Sequence, residues 1–353
     1  MRVFVAGATG VLGRQLVPIL AANGHHVIGM GRRRTTMETS PDVELVTADA
    51  LEPAAVNAAV RRAGPDAVIN LLTAIPARLN ARRMAQQLQL TNRLRTEGAR
   101  NLLEAATANG VRRVLAEGLA YAYDPGDSAP ADEDVPFWQH PPQQFAPVID
   151  ALVELEHRTR EAGGLVLRMG HLYGPGTIYA PDGYLTEQVR ARAVPLVSGG
   201  RSVFSFTHVE DAATAMLAAL DRPAGGVLNI VDDAPTLIAD WLPALAAVVG
   251  ALKPRRLPEA IVRLAVGGWG LAFLTRLRGA DNARAHETLN WRPRYSSWRQ
   301  GFQHEFGQPL PDASGNEMLR PTPPNHVRPP FSHRGAPCQR ELICLPHGPA
   351  QSP

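Results

Sequence analysis

The chain has 353 residues, 45% hydrophobic and 20% charged, with a formal net charge of +3. That is enough apolar content for one large domain or two interlocked ones. Arginines are spread along the chain without interleaved aromatics, which reads as a solvated basic surface and argues against a nucleic-acid groove.

In chain order, Arg2 to Ala6 is a short buried strand, entered directly from Met1, so no signal peptide is expected. Val11 to Asn23 is a helix with Leu12, Leu16, Ile19 and Leu20 on one face. Strands follow at His26 to Met30, Val43 to Thr47 and Ala67 to Leu72. A long helix is predicted over 85–109, a fifth strand at Arg113 to Glu117, a helix over 148–162 and a strand at Leu165 to Met169. This alternation predicts an α/β Rossmann-type fold, a doubly wound parallel sheet with a smaller C-terminal substrate-binding subdomain. Residues 1–170 are expected to hold a dinucleotide and residues 171–307 mainly the substrate, with strands returning to the sheet.

After Met169 the rhythm breaks into a loop-rich stretch at Gly174, Pro175, Gly176, Pro181 and Gly183. Short strands are predicted at Val203 to Phe206 and Val227 to Val231, with helices at Asp211 to Leu220 and Asp240 to Leu252. Leu264 to Leu274 is too short to span a bilayer and reads as a buried helix. Residues 308–353 are rich in proline and lack any period, and are expected to be disordered. Cys338 and Cys344 are the only cysteines, so neither a disulfide framework nor a thiolate metal site is expected. The eleven histidines show no metal-ligand spacing. A cytoplasmic protein without bound metal, membrane or nucleic acid is the expectation.

The most informative segment is Gly7-Ala8-Thr9-Gly10-Val11-Leu12-Gly13, set between a strand and a helix. Gly7 permits the tight turn, Gly10 lets the backbone approach a pyrophosphate, and Gly13 lets the helix pack on the sheet. The helix N-terminus offers free N–H groups to the phosphates. At the end of the second strand, Gly31-Arg32-Arg33-Arg34 carries arginine where a carboxylate would hold the ribose of NAD. This favours NADP over NAD, with solvated arginines as the alternative. Asp49 and Ala50, after the third strand, are expected near the adenine. Leu71, Leu72 and Thr73, after the fourth, are expected to line the dinucleotide.

These motifs resemble the extended short-chain dehydrogenase/reductase family, the NAD-dependent epimerase/dehydratase group, from residue 1 to about 303. Asn92 in Thr91-Asn92-Arg93-Leu94-Arg95-Thr96-Glu97-Gly98 is similar to the family's Asn-Val-x-Gly-Thr. The segments Arg168 to Gly176, Phe206 to Asp211 and Leu289 to Pro293 resemble its nicotinamide loop, its link to the substrate domain and its closing Leu-Gly-Trp-x-Pro. The resemblance implies NAD(P) chemistry on a nucleotide sugar or small carbonyl compound. It also implies a homodimer through the helices at 85–109 and 148–162. The family's machinery is a tyrosine base in Tyr-x-x-x-Lys and a serine or threonine after the fifth strand. Here those positions fall on Val148, Leu152 and Gly118, and the only lysine in the chain is Lys253. The chain therefore reads as an atypical member.

Tyr173, His171, Tyr121 and Tyr123 are the candidate substitutes for the missing acid–base groups, each with a packing role as the alternative, and His171 would also flank the nicotinamide. Glu117 is either a pocket carboxylate or solvated. His208 is expected to bond its own loop and Asp211 to cap its helix. Three functions stay open: an epimerase, dehydratase or reductase; a dinucleotide-binding regulator without turnover; and a non-redox isomerase or lyase.

Overall fold

The computed structural model describes residues 1–33, 41–126, 130–308 and 310. Arg34, the two cysteines and the proline-rich tail beyond 310 lie outside the described residues.

Seven parallel strands form the central sheet: β1 (Arg2–Ala6), β2 (His26–Gly31), β3 (Val43–Thr47), β4 (Ala67–Asn70), β5 (Arg113–Leu119), β6 (Leu165–Met169) and β10 (Gly226–Ile230). Their spatial order is β10-β6-β5-β4-β1-β2-β3. The order reverses beside β1, which opens a crevice at the carboxyl ends of the strands. Shorter strands are β7 (His171–Tyr173), β8 (Val203–Phe204), β9 (Phe206–His208) and β11 (Thr236–Leu237). β7 runs parallel to β9, and β8 pairs antiparallel with β11.

The helices are α1 (Val11–Ala22), α2 (Pro53–Ala63), α3 (Met84–Gln87), α4 (Gln89–Arg93), α5 (Ala99–Ala108), α6 (Ala146–Glu161), α7 (Tyr184–Arg190), α8 (Val209–Leu220), α9 (Ile238–Val248), α10 (Glu259–Thr275), α11 (Ala283–Leu289) and α12 (Trp298–Phe306). α1 and α8 cover one face of the sheet, burying Leu16, Leu20, Ala212 and Met216 against Val3, Val5 and Leu115. α2 and α5 cover the other with Val56, Val60 and Leu102 on Phe4, Ile28 and Val68. Burial on both faces explains why β1, β4 and β6 read as nearly continuous apolar runs.

Four expectations need correction. The helix predicted over 85–109 is broken: Leu88 leaves helical geometry (φ −95°, ψ 4°), and Leu94–Gly98 between α4 and α5 is a π-helical turn. The strand predicted over Val203 to Phe206 splits at Ser205, because β8 and β9 pair with different partners. The apolar helix around Leu264 to Leu274 is buried only in its second half. α10 kinks at Gly267 (φ +76°), and Leu264 in the first half is 75% exposed. Asp211 does not cap α8: the His208 side chain is the cap, accepting from the Glu210 N–H, while Asp211 accepts from the Arg294 and Tyr295 N–H groups. His208 thus bonds its own loop as expected, and its Nε2 meets Glu305 at 3.0 Å.

Among the described residues no helix is long and apolar enough to cross a membrane.

Candidate functional site

The turn between β1 and α1 has the geometry of an anion cradle. Gly7 turns with φ +92°, and a Cβ there would lie 2.4 Å from the Leu71 carbonyl oxygen. A Cβ on Gly13 would collide with the Gly7 carbonyl at the same distance. Those two glycines fold the loop onto itself and onto the segment after β4. Gly10 is different. It is exposed, and the one neighbour its Cβ would meet is the Gly7 carbonyl at 3.2 Å. Its open side faces outward from the start of α1, which has no acidic residue in its first turn and no side-chain cap. The first N–H groups of such a helix have no internal partner and attract phosphate. These residues fit a dinucleotide pyrophosphate.

The flanks of the cradle are also in place. Ala8 is buried under Gly29, Thr9 lies against Gly31, and Val11 stands near Gly176 in the loop after β7. Leu12 is buried against the sheet. Arg32 follows β2 and is exposed. Asp49 accepts from the Leu51 N–H, and Ala50 is buried where the Asn101 amide donates to its carbonyl. Leu71 and Leu72 are held by bonds to Ala6 and Asn70, with Thr73 exposed beyond them.

At the other end of the crevice, the two positions to which the sequence resemblance assigns the family's tyrosine and lysine are apolar and sealed. Val148 and Leu152 on α6 are 1% and 0% exposed, within the largest aromatic and aliphatic cluster of the protein. Gly118 faces away from that cluster, toward Val166, Arg168 and Glu156.

The four substitute candidates fall in three places. The Tyr123 hydroxyl donates to Asn229 (2.5 Å) and accepts from Arg168 (2.7 Å), beside the bidentate Arg168–Glu156 pair. Burial pushes its pKa up to about 12, opposed by Arg168. It is engaged in a structural network. Tyr173 is fully buried under α12, so close that a Cβ on Gly301 would overlap its hydroxyl. Burial and the acids Asp232 and Asp211 raise its pKa far beyond the phenol range. Tyr121 and His171 do come together, stacked at 4.3 Å between ring centroids. The His171 ring also touches Phe204, and burial lowers its pKa to about 3, so it is neutral. Its Nε2 has no hydrogen-bond partner among the described residues.

Two further groups face Tyr121. Glu117, on β5, lies one residue past the last β4–β5 pair, Asn70↔Ala116, level with Leu71. Its carboxyl keeps some accessible surface, yet desolvation dominates its titration and raises its pKa to about 7, with Arg95 pulling the other way. Arg95, in the π-helical turn, is 4% exposed. Burial lowers its pKa, opposed by Tyr121 and Glu117. Neither Arg95, Glu117 nor the Tyr121 hydroxyl makes a hydrogen bond or close ion pair among the described residues. Arg95, Glu117 and the Tyr121 hydroxyl thus act on one another through space without direct contact.

Arg95 was not singled out from the sequence, though a signal was available. Counting three residues back from Gly98 in the Asn-Val-x-Gly spacing lands on Arg95, not Asn92. Gly98 packs between Leu72 and Ala50. Asn92 is half-buried, one turn earlier, with its Oδ1 unpartnered among the described residues. Among the described residues no group of three metal-ligating side chains occurs.

Comparison with known proteins agrees with this architecture. The NAD dependent epimerase/dehydratase family matches residues 3–231. A 3-diazoavenalumate denitrifying reductase from a Streptomyces species is 43% identical over 309 residues, covering 86% of this chain and all of the relative. A ceramide reductase from Caulobacter vibrioides is 30% identical over 321 residues, covering 86% and 90%. Among solved structures, UDP-glucose 4-epimerase from Thermotoga maritima superposes with a TM-score of 0.69 at 21% identity, covering 87% and 98%.

Proposed function

The chain belongs to the NAD dependent epimerase/dehydratase family, and from that premise we propose that it is an NADPH-dependent reductase of diazo-substituted aromatic compounds, releasing dinitrogen. The observation that carries this reading is the pair of sealed apolar side chains, Val148 and Leu152, where the family's base and its lysine would stand.

Oxidising a sugar hydroxyl, or reducing a carbonyl to an alkoxide, places a strongly basic oxygen in the transition state. Such chemistry depends on a phenol of matched pKa. Hydride addition with loss of dinitrogen does not. The carbon–nitrogen bonding pair leaves with N2, the hydride pair forms the carbon–hydrogen bond, and a departing gas supplies the driving force. The name of the Streptomyces relative describes a reductase of this kind, and that similarity supports the assignment.

In this reading residues 1–170 hold the cofactor and residues 171–307 mainly shape the substrate end. Gly7 to Gly13 and the start of α1 would take the pyrophosphate, Arg32 the 2′-phosphate of NADP, and Leu71 to Thr73 the nicotinamide ribose. The reduced nicotinamide supplies the hydride when bound. The protein's own part is to orient an aromatic ring against Tyr121, whose other face rests on His171. Phe204 and Phe273 close around that histidine and keep water from it.

The test is a substrate panel with NADPH. Cofactor oxidation with an ortho-diazo phenol, accompanied by N2, is expected. Oxidation with simple aldehydes or turnover of UDP-sugars in its place would reject the assignment.

A further inference from the structure

We propose that Glu117 is the proton-transfer residue of this site and that Arg95, which faces it, binds the substrate's ring oxygen. The acid and the cation that the family keeps on α6 come here from β5 and the π-helical turn. The proposal rests on the reductase reading for its substrate. Its geometry is independent of it.

The other candidates are spent. The Tyr123 hydroxyl is engaged by Asn229 and Arg168, Tyr173 is packed against Gly301, and the His171 ring stays neutral. Glu117 stands at the carboxyl end of β5, level with Leu71 after β4, and its charge acts on Tyr121 in the loop that follows. The groups that face it are Arg95 from the π-helical turn and Tyr121 from the loop after β5, with neutral His171 and Tyr179 behind Tyr121. A buried guanidinium left without a contact partner is costly. That cost is recovered when a ligand oxygen sits between the two, accepting from Arg95 and facing Glu117. Single-turn π-helices recur at functional sites because the widened turn re-aims one side chain. Here that side chain is Arg95.

The chemistry balances. The ortho-diazo phenol enters as its neutral diazo oxide. As N2 departs with the carbon–nitrogen pair and the hydride takes its place on carbon, the ring oxygen becomes a phenolate held by Arg95. It takes the carboxyl proton of Glu117 and leaves as the phenol, and Glu117 is reprotonated from solvent. Net, diazo oxide, NADPH and one proton give phenol, N2 and NADP. An acid that titrates near pH 7 is suited to this step.

The experiment measures kcat/KM against pH for full-length enzyme with NADPH and an ortho-diazo phenol. Wild type should lose activity as pH rises through about 7. Glu117→Gln should fall about 100-fold and lose that pH break, with NADPH affinity unchanged. Glu117→Asp should recover part of the rate together with a break. Arg95→Met should move the break to higher pH, because its charge holds the carboxyl down, and Arg95→Lys should restore it. A Glu117→Gln profile with the wild-type break, or an Arg95→Met profile that does not move, overturns the proposal. Infrared difference spectra of the NADPH complex without substrate separate the two claims. A carboxyl band that titrates near neutrality and vanishes in Glu117→Gln supports Glu117 even when no diazo compound reacts, in which case the substrate reading alone fails. Absence of that band overturns Glu117 even when N2 is released.

Discussion

The two ends of one crevice have been treated differently. At the β1–α1 end every feature that a dinucleotide demands is present, because there the demand is steric: Gly7 and Gly13 have no room for a Cβ. At the β5–α6 end the backbone is conventional, and Val148 and Leu152 stand sealed where the resemblance puts the family's tyrosine and lysine. In the proposal made above, Glu117 and Arg95 take over that chemistry. Binding a cofactor constrains backbone, which leaves little freedom. Proton transfer constrains only where one hydrogen atom can go, and several elements of the fold can deliver it.

The comparison breaks most visibly at the cradle. Gly10→Asp should remove dinucleotide binding altogether, by placing bulk and negative charge at the N-terminus of α1. Binding that survives, measured by NADPH fluorescence, would move the cofactor elsewhere. Next in size is the network beneath the acid–base end. Arg168→Ala leaves Glu156 buried and unpaired, and should cost about 3–5 kcal/mol of stability in denaturant titration. A loss below 1 kcal/mol, on the scale of surface pairs, would mean the pair is effectively solvated.

The fold was legible because the central strands β1, β4 and β6 are buried on both faces, so type and order followed from apolar runs. The glycine turn between β1 and α1 was legible too, since Gly7 and Gly13 have no room for a Cβ. The acid–base end was not. Tyr173 and Tyr123 look like pocket residues in sequence, but Gly301 on α12 and Asn229 on β10 meet them only in three dimensions. Arg95 was hidden by the π-helical turn, which spoils helical periodicity in the segment where a buried arginine would stand out.

Two smaller effects sharpen the contrast. Arg32→Ala should weaken NADPH binding by about 1.5–3 kcal/mol and NADH much less. Equal changes for the two cofactors would leave Arg32 in solvent. Glu117→Gln should stabilise the protein above pH 7. Burial raises the folded pKa from 4.5 to about 7, so the folded state holds the proton more tightly and loses stability as pH rises between those values. The gain is on the order of 1–2 kcal/mol, discounted for the accessible part of the carboxyl. It should vanish below 4.5. Thermal melts at several pH values read this directly, and a pH-independent difference would contradict it.

The central claim is hydride delivery with loss of dinitrogen, and its most direct test follows the hydride itself. Enzyme is incubated with an ortho-diazo phenol and NADPH deuterated at the transferring position of C4, in ordinary water, and the products are analysed by mass spectrometry. The account predicts one N2 per NADPH oxidised and one deuterium on the ring carbon that carried the diazo group. N2 release with no deuterium on that carbon, or NADPH oxidation with the diazo group retained, would contradict it.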